Sequence, residues 1–172
     1  DVVRRRDWNN DAALWASARR VESRSARACS WMGLAEKEAG RMDAARSLFQ
    51  RADELNPYDV SALVNLAVME GEAGRYKEAE RLLKEAVRRQ PRSFQAYWNW
   101  SVACFHLGDE AGMMNALENT LRLNPYSLQA RKARLGLLMD AGRREDALAE
   151  ARRLLEIDPQ DEMAKRLLDP AP

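Results

Sequence analysis

The chain has 172 residues, with 28 Lys and Arg against 27 Asp and Glu, one histidine and two cysteines. Near-neutral, interspersed charge leaves no electrostatic footprint for nucleic acid, and the cysteines are too few for a small domain stapled by disulfides. No apolar run approaches the roughly 20 residues needed to span a bilayer, and a start at Asp1 with neither methionine nor signal peptide reads as a piece of a larger protein.

Arg4–Arg6 is the one basic run, read as a solvated end, with contact to anionic lipid headgroups as the sharper alternative. Trp15, Ala18 and Val21 stand 34 residues ahead of Phe49, Ala52 and Leu55. Residues 1–25 therefore read as a second helix without its first, a capping helix from about Trp8 to Glu22 over the open end of a helical array.

From there the punctuation is periodic. Gly40, Gly74, Gly108 and Gly142 recur every 34 residues, and so do Pro57, Pro91, Pro125 and Pro159. In the unit Val60–Ser93, the spacing of Leu63, Leu66 and Ala67 gives a first helix an apolar face, and Gly74 sits where the chain needs a residue free to take positive φ. Ala79, Leu82, Leu83, Ala86 and Val87 form the stripe of a second helix, which Pro91 cannot continue because it lacks an N–H. Neither helix buries its stripe on its partner alone, so the hairpins must stack. The predicted repeats are residues 26–59, 60–93, 94–127 and 128–161, followed by a capping helix in 162–172, all in one domain.

Repeats three and four differ from their neighbours. Phe94, Tyr97, Trp98, Trp100, Phe105 and His106 crowd one first helix, with Tyr97 and Trp100 read as core and Trp98 and Phe105 on the other side. Arg131 and Arg134 stand where other repeats have core residues. Either their stems cover the core with the heads in water, or the helix is rotated so that Leu135, Leu137 and Leu138 pack instead. Cys29 and Cys104 fall on apolar faces two repeats apart, so two buried free thiols are expected.

A 34-residue period with a mid-repeat glycine and a late proline resembles the tetratricopeptide repeat (TPR) family. The small residue at its eighth position is here Gly33, Ala67 and Ser101, with Leu135 a departure; at the twentieth it is Ala45, Ala79 and Ala147, with Met113 a departure. The resemblance implies an all-α fold, a right-handed TPR solenoid of helix-turn-helix repeats with flanking capping helices. A narrower resemblance covers the basic stretch, DW, LW and SRSARA of residues 4–28. This order is similar to the segment after the last membrane helix in multi-pass, O-mannosyltransferase-like membrane proteins with a tetratricopeptide tail.

The sequence has no CxxC, HExxH, GxSxG or phosphate-cradling glycine loop, so catalysis, a metal and a cofactor are not expected. What remains is recognition. The resemblance implies a peptide-binding concave groove formed by Trp31, Asn65, Val68, Trp98, Asn99, Val102, Phe105 and Lys132, with Asn65 and Asn99 contacting the backbone of an extended peptide. The expected function is a non-catalytic protein–protein interaction scaffold for a peptide or partner protein. The alternative is an accessory domain of a multi-pass membrane glycosyltransferase, on either face of the membrane, whose catalytic part lies outside this chain.

Overall fold

The structure, a computed structural model, describes residues 25–169. The expected N-terminal cap, the Arg4–Arg6 run and most of the mannosyltransferase-like segment lie outside these residues. Among the described residues all regular structure is helical: α1 (Ala26–Glu38), α2 (Met42–Leu55), α3 (Ser61–Glu72), α4 (Tyr76–Arg89), α5 (Phe94–Leu107), α6 (Glu110–Leu123), α7 (Leu128–Asp140), α8 (Arg144–Ile157) and α9 (Glu162–Leu168). The chain divides into two compact units, Asp1–Leu66 and Ala67–Pro172, with the boundary inside α3.

The helix ends follow one rule in every repeat. Gly40, Gly74, Gly108 and Gly142 take φ of +76, +74, +70 and +67°, the left-handed region that costs glycine nothing. The next N–H then reaches back five residues. Arg41 donates to the Glu36 carbonyl, Arg75 to Glu70, Asp109 to Cys104 and Arg143 to Leu138, at 2.8–3.0 Å. This is the Schellman termination that satisfies carbonyls otherwise orphaned at a helix end. The first helices also start alike. Ser25, Ser93, Ser127 and Asp161 accept a hydrogen bond from the N–H three residues on, at 3.5, 3.3, 3.4 and 2.9 Å, while Asp59 accepts from Ser61 at 3.0 Å. These five caps obey the same 34-residue period.

In the first unit, α1 packs on α2 around Phe49, which is fully buried with Ala45. Gly33 makes this possible, because a Cβ there would stand 2.8 Å from the Phe49 ring. Burying that ring contributes roughly 1.5–3 kcal/mol. Cys29, Ala52 and Ala62 form a second cluster with Leu55 beside it.

In the second unit, α4 packs on α5, α5 on α6, α6 on α7, α7 on α8 and α8 on α9. Leu117, Ala130 and Leu137 form one cluster, and Leu135, Leu138, Ala147, Ala151, Leu154 and Ala164 form another. Both readings of repeat four are incomplete. The leucines do pack, yet Arg131 and Arg134 do not send their heads to water: both donate at 2.7 Å to Glu150 on α8, a carboxylate only 1% exposed. Tyr97 and Trp100 are half-buried and stack at 6.2 Å, with the Lys84 ammonium 5.5 Å from the centre of the Trp100 ring. Cys29 and Cys104 are both buried, and neither is in a disulfide.

Candidate functional site

Within the second unit, α5 has a groove on each side. The larger, about 480 Å³, lies between α5 and α7 and is lined by Trp98, Val102 and Phe105 from the first and by Lys132, Gly136 and Leu137 from the second. Met113 of α6 and the hinge Gly108–Asp109–Glu110 wall it off. The smaller, about 290 Å³, lies between α3 and α5, with Val68, Gly71, Asn99, Val102 and His106 on its lining. Val102 belongs to both.

Local sequence places these groups. An i, i+4, i+7 spacing puts Trp98, Val102 and Phe105 along one face of α5, opposite the face that buries Ala96 and Ala103. Trp98 is half-buried against Leu117, Ala130 and Leu137, so it is part core and part wall, while Phe105 is 64% exposed. On α7, positions 132, 133, 136 and 137 face the groove at helical spacing. The His106 ring stacks on Tyr76 at 4.2 Å and meets Phe105 edge-on at 5.3 Å.

The polar groups are already committed in part. Asn99 Nδ2 donates to the Gln95 carbonyl at 2.8 Å. The Lys132 ammonium sits 2.8 Å from Asp161 and 3.2 Å from Asp158, so its stem lines the groove while its charge is matched. The hydrogen bonds from Lys132 to Asp161 and Asp158 raise the Lys132 pKa, and the same bond to Asp161 lowers that carboxyl below its ordinary value. Six of the eight residues expected at the site thus line the two grooves. Trp31, 68% exposed on α1, and Asn65, half-buried on α3, belong to the first unit.

The sequence reading did not assign the acids to the site. Asp109, Glu110 and Asp140 gather at the hinge end of the larger groove. Asp109 caps α6 by accepting the Gly112 N–H at 2.9 Å. A signal was present: the residue after the hinge glycine is Arg41, Arg75 and Arg143 in the other repeats, and Asp109 only here. The ninth position likewise holds Leu34, Val68 and Val102, but Gly136 in repeat four.

One carboxylate oxygen each from Glu80 and Asp109 and the sulfur of Cys104 lie within 4.8 Å of one another, a spacing that metal ligands also use. Here Lys84, 2.6 Å from Glu80, already supplies a cation. Burial, reinforced by the Asp109 and Glu80 charges, pushes the Cys104 thiol up to about 11, which keeps it protonated. The cluster reads as a polar knot at the C-terminal end of α5, with only Cys104 buried.

Two family profiles, both described as Tetratricopeptide repeat, match residues 37–100 and 3–60. The chain carries tetratricopeptide repeats. Solved structures agree on the all-α TPR solenoid fold. YrrB, described as a TPR protein with an unusual peptide-binding site, matches with a TM-score of 0.75 at 18% identity, over 89% of this chain and 79% of that one. MamA matches at 0.72 and 20%, over 83% of this chain and 78% of that one. TTC0263, a thermophilic TPR protein of Thermus thermophilus, matches at 0.62 and 26%, over 84% and 79%. No curated protein matches the sequence. These matches support the TPR reading and not the mannosyltransferase resemblance. Among the described residues, no helix is long and apolar enough to cross a membrane.

Proposed function

We propose that this TPR chain is a non-catalytic scaffold that binds an extended peptide, or an extended segment of a partner protein, in the groove between α5 and α7. The observation that carries this reading is the open apolar channel walled by Trp98, Val102, Phe105, Met113 and Leu137, which a folded monomer has no reason to keep in water. Across the Val102 ridge the smaller groove offers Asn99 to the backbone of such a peptide, and Val68 to its side chains. YrrB, which shares the fold, is described as having a peptide-binding site, and this supports a peptide as the ligand class here.

The test is selection of a random-peptide phage library on the full chain, followed by fluorescence anisotropy of the selected peptides on parent and variants. Phe105→Ala should weaken binding by about tenfold or more, as expected for a buried aromatic anchor, with little change in melting temperature because the ring is exposed in the free protein. Asn99→Ala should cost a further few-fold, about one hydrogen bond. Peptides that bind both variants as tightly as the parent place the site elsewhere.

A further inference from the structure

Resting on the groove reading above, we propose that the occupant is a peptide segment carrying a bulky apolar side chain beside a Lys or Arg. The apolar group sits over Gly136 and the cation at the Asp109, Glu110 and Asp140 end.

Two independent features lead there. The first is a notch. Gly136 is in the interior of α7, where glycine is less favourable than alanine by about 1 kcal/mol. Close packing does not explain it, since a Cβ at Gly136 meets nothing within 4 Å. By contrast, Gly33 and Gly112 are required by neighbours, with Phe49 at 2.8 Å from a Cβ at the first and Asp109 at 2.2 Å from one at the second. The other repeats fill this ninth position with Leu34, Val68 and Val102. The missing side chain leaves space between Trp98, Val102 and Leu137, a size and polarity suited to an aromatic or long aliphatic group.

The second feature is charge. The hinge end of the groove holds three carboxylates, and among the described residues neither Glu110 nor Asp140 has an ion-pair partner. The lysine on the lining, Lys132, is neutralised by Asp158 and Asp161 and does not compete. A guanidinium or ammonium next to the seated apolar group complements this end.

The experiment extends the phage selection. Selected peptides should share an aromatic or long aliphatic residue with a Lys or Arg within a few positions, and their affinity should fall with added salt. The double variant Glu110→Gln with Asp140→Asn should weaken them by about three- to tenfold, and the loss should vanish when the peptide's basic residue is changed to Gln. Gly136→Leu should raise the melting temperature yet weaken binding by about tenfold or more, while Gly136→Ala should also raise the melting temperature but weaken binding less. Peptides that depend on Phe105 but show no basic preference and bind the double variant unchanged overturn this inference and leave the groove reading standing. Binding indifferent to both Phe105→Ala and Gly136→Leu, or a library that yields no binder, overturns both.

Discussion

Arg131 on α7 donates to Glu150 on α8 at 2.7 Å, across the hairpin of repeat four, where the carboxylate is only 1% exposed. Arg134 satisfies the other carboxylate oxygen, also at 2.7 Å. A buried carboxylate is tolerated only while paired, so Glu150→Ala should strand two arginine heads and cost about 3–5 kcal/mol in a denaturant melt. Replacing all three together, as Arg131→Leu, Arg134→Met and Glu150→Met, should recover most of that loss. If Glu150→Ala melts like the parent, the triad contributes nothing to holding α7 on α8.

Two helical glycines should respond to the same substitution with opposite signs. Gly33→Ala places a methyl 2.8 Å from the Phe49 ring and should destabilise by about 1–3 kcal/mol. Gly71→Ala meets open space and should stabilise by about 0.5–1 kcal/mol. Thermal melts of both would reveal a change of the same sign if the glycines were interchangeable.

Acid should weaken the fold in a defined window. Asp161 is held low by its hydrogen bond from Lys132, and Glu85 is held at about 2 by hydrogen bonds from Arg88 and Arg89, against an ordinary 4.5. As pH falls the unfolded chain takes up these protons first. The stability is therefore present above about 4.5 and lost from there toward 2. Glu85 lies on an exposed salt-bridged face, so its share is small. Lys132→Met should make the decline in melting temperature shallower and let Asp161 titrate nearer 3.8 by carbon-detected NMR. An unmoved Asp161 would show that Lys132 does not set it.

Cys104 should be inert in the native protein. Its thiol is buried and pushed up to about 11, so the reactive thiolate is scarce near neutral pH. Maleimide labelling read by mass spectrometry should modify it only once denaturant is added. Prompt labelling of the folded chain would contradict its burial.

The sequence reading reached what periodicity controls. The four hinges at positive φ, the Ala79–Leu83–Ala86 stripe and the buried thiols were all visible in a 34-residue repeat. Glu80–Lys84 and Glu85–Arg89 also stand at i, i+4 along one helix, and these pairs close at 2.6 and 2.7 Å. It did not reach Glu150, because a carboxylate 16 and 19 residues from its arginines resembles any other surface acid until α7 and α8 are packed. The acids at the groove end escaped for a similar reason: Asp109 and Asp140 come from different hairpins, and only folding brings them to one wall. Departures from the repeat pattern, Asp109 for arginine and Gly136 for an apolar residue, were the available clue.

Asp161 caps α9 through the Ala164 N–H at 2.9 Å and at the same time holds Lys132 of α7 at 2.8 Å. A helix of seven residues cannot sustain itself in water, so α9 is helical only on condition that α7 and α8 are in place. Such a helix should be the first of the described helices to fray. The tie to Asp161 makes Lys132 a point where acetylation, or its mimic Lys132→Gln, would be felt at a distance. Amide exchange should then quicken in α9 while α7 itself stays protected.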